Sequence, residues 1–143
     1  MRRSKLKLIS DGKPLKLKDG RYRLIEDWQF LWGDHKNLLI VPKGYVCDLA
    51  SIPEWAFWWK RGLWDIAAIA HDHVCDYGWI YLKVGDTRVE YPMSRKAGDW
   101  LFYEINLAMG VKPKTANLMY GAVRFWSIKC GLEKIFLGRV NDK

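Results

Sequence analysis

Apolar residues change their period about a third of the way along this chain, and that switch constrains the fold most. Lys5-Leu6-Lys7-Leu8-Ile9 and Leu15-Lys16-Leu17-Lys18 alternate polar with apolar, the period of half-buried strands. Asp19-Gly20 after the second of them is a turn signal. Arg21-Tyr22-Arg23-Leu24-Ile25, then Trp28 to Trp32, then Leu38 to Val41 continue as short strands. Gly33-Asp34-His35-Lys36-Asn37 is a polar turn between the last two, and Pro42-Lys43-Gly44 closes the pattern.

From Ser51-Ile52-Pro53 onward the spacing is helical. Ser51 can cap a short helix that opens on Pro53. Trp64, Ala67, Ala68, His71 and Cys75 then share one side of a longer helix. Ser94 caps a third helix that Gly110 stops, and Pro113 opens a last one with Gly131 as its stop. Tyr77 to Pro92 is a loop or small hairpin around Gly85-Asp86. The expected fold is α+β. Antiparallel strands over about 5–46 pack against three or four helices at about 52–59, 63–77, 94–109 and 114–130.

A chain of 143 residues that is 50% hydrophobic, with nine tryptophans, can bury a core without disulfides. It reads as one domain, 1–143, with a basic β-rich part over about 1–46 and a helical part over about 50–137. The longest apolar run, Leu63 to Ala70, is broken by Asp65 and too short to cross a bilayer. Met1-Arg2-Arg3-Ser4-Lys5 leads into an alternating segment, so a signal peptide is not expected. Cys47, Cys75 and Cys130 form no Cys-x-x-Cys pair and are expected as reduced thiols. Residues 1–23 hold nine basic side chains against two acidic ones, which is most of the net charge of +8. Such residues guard exposed strand edges, and they also attract anionic partners.

The chemistry centres on His71-Asp72 in an apolar helix and Asp99 on the next helix. A buried imidazole facing a carboxylate makes a general base, because the carboxylate fixes the tautomer and stabilises the imidazolium. Neighbouring helix positions diverge by about 100°. If His71 meets Asp99, Asp72 faces other surroundings, where a carboxylate suits a hard cation such as calcium. Asp48, between a strand and a helix in Val46-Cys47-Asp48-Leu49-Ala50-Ser51-Ile52-Pro53, is a turn cap, a second ligand or an acid. His71 and Cys75, four apart, with Cys47 from elsewhere, are too few ligands for a convincing zinc site.

Val41 to Pro53, Ala67 to Asp72, Ser94 to Phe102 and Ala122-Val123-Arg124 together resemble the uncharacterised family catalogued as domain of unknown function 1353. That family occurs mainly in tailed bacteriophages and prophages, so the resemblance implies a phage origin and no settled activity. The helix pair alone, with Ala97, Asp99 and Phe102 on its second member, is similar to secreted and parvoviral phospholipases that cleave at the sn-2 position. By that resemblance His71 activates water, Asp72 binds calcium and Asp99 orients His71. Cys75 stands where those enzymes usually have tyrosine, and their glycine-rich calcium loop is missing unless Gly44 to Pro53 replaces it.

The leading expectation is a phage-encoded hydrolase acting on a host-envelope ester or amide, in phospholipid or peptidoglycan. His71, Asp99 and Asp48 are its candidate catalytic residues, and Asp72 and Asp48 hold any calcium or other divalent cation. The alternative is a non-enzymatic phage protein, a virion component or a host-protein-binding factor, with these residues as a structural network. Trp55, Trp58, Trp59 and Trp64 around Lys60-Arg61 are core packing or an aromatic-basic membrane surface. Nucleic acid is the weakest partner, since no recognised binding module is present. The chain is expected in the host cytoplasm when synthesised, with later association with the virion left open.

Overall fold

A computed structural model describes residues 6–9, 14–32, 37–47 and 65–141, the side chains of 65–66 and 132–141 excepted. Six short strands come first: β1 (Leu6–Leu8), β2 (Leu15–Lys16), β3 (Tyr22–Arg23), β4 (Trp28–Trp32), β5 (Leu38–Val41) and β6 (Val46–Cys47). Helix α1 (Asp65–Tyr77), the hairpin β7 (Trp79–Val84) and β8 (Thr87–Pro92), and helices α2 (Arg95–Ala108) and α3 (Pro113–Asn141) follow. The fold class is α+β. The helix expected at about 52–59, Asp48 and the tryptophans from 55 to 64 lie outside the described residues.

Two antiparallel sheets form, a large one in the order β1-β4-β5-β7-β8 and a small one in the order β2-β3-β6. In the large sheet Phe30 stands opposite Leu39 and Leu8, and Trp28 opposite Val41. Alternation therefore puts Leu6, Trp28, Phe30, Leu39, Val41 and Ile80 on one side, where all are buried in the core that the helices complete. The segment from Tyr77 to Pro92 contributes more than a loop or small hairpin. Trp79-Ile80-Tyr81-Leu82 alternates, Ile80 and Leu82 join the core, and β7 pairs with β5 inside the sheet.

Residues 67–74 of α1 are buried without interruption, because the helix lies between α2 on one side and β6 and β7 on the other. Ser94 caps α2, its hydroxyl accepting from the Ala97 N–H at 3.1 Å. Gly110 follows α2 at φ 89°, a left-handed conformation that glycine adopts without penalty. Gly131 does not end α3, which runs on to Asn141 instead of stopping near Cys130. A glycine stop needs a left-handed residue, and Gly131 is not among the glycines with positive φ. Leu132-Glu133-Lys134 beyond it are strong helix formers that offset its cost.

Asn106 of α2 is fully buried, and among the described residues neither its side-chain oxygen nor its nitrogen has a hydrogen-bond partner. Burying an unpaired amide costs roughly 1–3 kcal/mol. Asn106→Leu keeps the branching of the side chain and removes both polar atoms. It is expected to raise unfolding free energy by about 1–2 kcal/mol in urea titrations.

Candidate active site: a histidine tied to three helices

His71 lies in the middle of α1 and Asp99 one turn into α2, and both are fully buried. The two helices pack side by side, and His71 Nε2 meets Asp99 Oδ1. Asp99 Oδ1 also accepts from the Ser127 hydroxyl at 3.0 Å, and Oδ2 accepts from Arg124 Nη1 at 2.8 Å. Arg95 Nε donates to Ser127 Oγ at 2.8 Å, which leaves the serine proton for Asp99. One carboxylate thus gathers donors from α1 and α3.

An ionised carboxylate only accepts, so Nε2 carries the proton towards Asp99 and a neutral ring presents its lone pair at Nδ1. That is the polarity a general base requires. Cys75, one turn further along α1 and partly exposed, places Sγ 3.8 Å from Nδ1 and 3.9 Å from Nε2. With Nε2 protonated towards Asp99, Nδ1 is the ring nitrogen that can accept from this thiol.

Asp72 and His73 face elsewhere, as helical angles require. Asp72 is buried, and its charge acts on Tyr45. The Tyr45 hydroxyl donates to Asp76 Oδ2 at 2.6 Å. Burial, that hydrogen bond and the charges of Asp72 and Asp76 all push the phenol well above its usual range. A buried carboxylate with a second one nearby is the donor type a hard cation takes. Asp48 lies outside the described residues, and among those residues no group of three or more His, Cys, Asp or Glu is arranged to hold a metal ion.

Residues 22–123 match the family model described as protein of unknown function (DUF1353). The chain belongs to that family. No curated protein and no solved structure matches it. The DUF1353 match covers β3 to the first third of α3 and includes His71, Asp72 and Asp99. It ends one residue before Arg124, so both α3 donors to Asp99 lie just past it.

Sequence reasoning gave Arg95, Arg124 and Ser127 no role at Asp99. Ser127 left a signal: it sits four residues after buried Val123, a polar residue on the apolar stripe of α3. Arg124 stood in the family-like segment Ala122-Val123-Arg124, but only the crossing of α3 over α2 reveals its partner.

His73 supplies a pH dependence. Its Nδ1–H donates to the Trp79 carbonyl at 3.1 Å, and Tyr45, Tyr77 and Trp79 surround the ring. Burial pushes its pKa down to about 4, against the opposing pull of the Trp79 carbonyl and Asp76. The folded value is below the unfolded one of about 6.5. Stability is therefore fully present above pH 6.5 and declines as the pH falls towards 4, where the folded form also binds the proton. Urea midpoints taken from pH 7 to pH 4 are expected to fall, and His73→Gln is expected to flatten that slope.

Proposed function

We propose that this DUF1353 protein is a phage-encoded hydrolase that opens an ester or amide bond in host-envelope material, phospholipid or peptidoglycan. The observation that carries the reading is the commitment of His71 Nε2 to an Asp99 already held by Arg124 and Ser127. Such a pair fixes one tautomer and holds Nδ1 as the basic nitrogen. In the reaction Nδ1 takes a proton from water while the water oxygen adds to the carbonyl carbon. Asp99 stabilises the imidazolium that forms. His71 then returns the proton to the departing oxygen or nitrogen as the tetrahedral intermediate collapses. A divalent cation, if bound, would be held by Asp72 and Asp48 and would polarise the carbonyl oxygen.

Complete burial of His71 and Asp99 favours a second reading. In it the protein is a virion component or a host-protein-binding factor, and the network locks the three helices together. Hydrolysis of short-chain esters, anionic phospholipid vesicles and purified peptidoglycan separates the two, with and without calcium. Under the hydrolase reading the wild type turns over at least one substrate, and His71→Ala loses at least a hundredfold at unchanged far-UV circular dichroism. Undiminished turnover by His71→Ala, or an inert wild type, ends it. Asp99→Asn is the second variant, expected to fold while losing most of the rate.

A further inference from the structure

Helix α3 has two apolar sides, and only one of them is used. Ala116, Met119, Val123 and Ser127 are buried against the rest of the molecule. Roughly opposite them on the helix, Leu118, Phe125 and Ile128 are 61%, 64% and 53% exposed. Scattered exposed apolar residues are ordinary, but these three fall on one stripe about 15 Å long. Exposed Lys114 lies at the head of the stripe and exposed Lys129 beside it, with Lys129 Nζ 5.2 Å from the centre of the Trp126 ring.

The backbone of α3 also runs past the end of α2. Tyr103 of α2 packs on Tyr120, Asp99 on Arg124 and Arg95 on Ser127, so the two helices run antiparallel. Ser127 is thus level with the start of α2, and the α3 backbone continues fourteen residues further, to Asn141. At 1.5 Å per residue this is roughly 20 Å of helix beyond α2. Over its whole length α3 contains Lys114, Arg124, Lys129, Lys134 and Arg139 against Glu133 alone.

We infer that the outer side of α3 docks on an anionic phospholipid surface. Leu118, Phe125 and Ile128 enter the boundary between headgroups and acyl chains, and Lys114 and Lys129 meet lipid phosphates. Charge decides between this surface and a second copy of the chain. Two copies of α3 laid together would bring their basic side chains close, whereas an anionic bilayer supplies the opposite charge. The inference rests on α3 alone and stands whether or not His71 is a base.

Flotation of the full-length protein with vesicles tests it. Phosphatidylglycerol-rich vesicles are expected to bind at least tenfold more protein than phosphatidylcholine vesicles at low salt, with most binding lost in 0.5 M salt. Phe125→Glu changes an exposed position and is expected to fold while losing binding at least tenfold. Lys114→Glu with Lys129→Glu keeps the apolar stripe and is expected to abolish the preference for anionic lipid. Equal binding to both vesicle types, or undiminished binding by Phe125→Glu, overturns the inference. So does a dimer in sedimentation analysis that Phe125→Glu dissolves, since a second copy would then be the occupant.

Discussion

Asp99→Ala is expected to lower the free energy of unfolding by about 3–5 kcal/mol. Its carboxylate receives His71 Nε2, the Ser127 hydroxyl and the Arg124 guanidinium. Truncation leaves those donors facing a void. The Arg124 side chain is 23% exposed and can turn to water, but His71 and Ser127 are buried and cannot. Buried donors stripped of an acceptor carry their full desolvation cost, which exceeds the net worth of the bonds when made. Asp99→Asn keeps the shape and one acceptor oxygen while pointing an amide at another donor, so its loss is expected to be about half as large. Ser127→Ala removes one donor to an anion and is expected to cost about 1–2 kcal/mol. Urea titration reads all three as shifts in midpoint at constant slope. A loss under 1 kcal/mol for Asp99→Ala would mean that the network does not hold α1, α2 and α3 together.

What the sequence made legible is what local chemistry decides. Trp28–Trp32 and Leu38–Val41 form strands over the expected bounds, because bulky apolar residues bounded by turn residues leave little alternative. The start and stop of α2 were legible in Ser94 and Gly110, whose roles depend only on their own backbone. Gly131 misled for the complementary reason: a glycine marks a helix end only if it turns left-handed, and residue type alone does not fix that. The insertion of β7 beside β5 was not legible. Leu38 pairs with Lys83 across a long intervening stretch, and nothing near either residue encodes the register. The candidate site divides the same way. Helical angles separate His71 from Asp72, but Arg124 and Ser127 reach Asp99 only once α3 has folded back over α2.

Gly98→Ala is expected to destabilise the protein by about 1–3 kcal/mol, although alanine is the better helix former by about 1 kcal/mol. Gly98 lies next to Asp99 on the side of α2 that touches α1. A methyl group there would come 2.8 Å from Val74 Cγ1, 3.2 Å from Val74 Cβ and 3.9 Å from His71 Cδ2. Val74 is buried and β-branched, so its χ1 has one strongly preferred rotamer in a helix and cannot swing aside. The helices must part instead, at the level where His71 meets Asp99. Val74→Ala separates the clash from the propensity. Alone it is expected to cost about 2–3 kcal/mol for the buried methyl groups it removes. In that background the 2.8 Å clash with Cγ1 is gone, and only the 3.2 Å approach to the remaining Cβ is left to relax. The same substitution is then expected to stabilise by up to about 1 kcal/mol, a reversal of sign that a double-mutant cycle reads directly. Additive losses would place the cost of Gly98→Ala somewhere other than Val74. The reversal would show that glycine at 98 sets how closely α1 and α2 approach, and through that spacing the contact between His71 and Asp99.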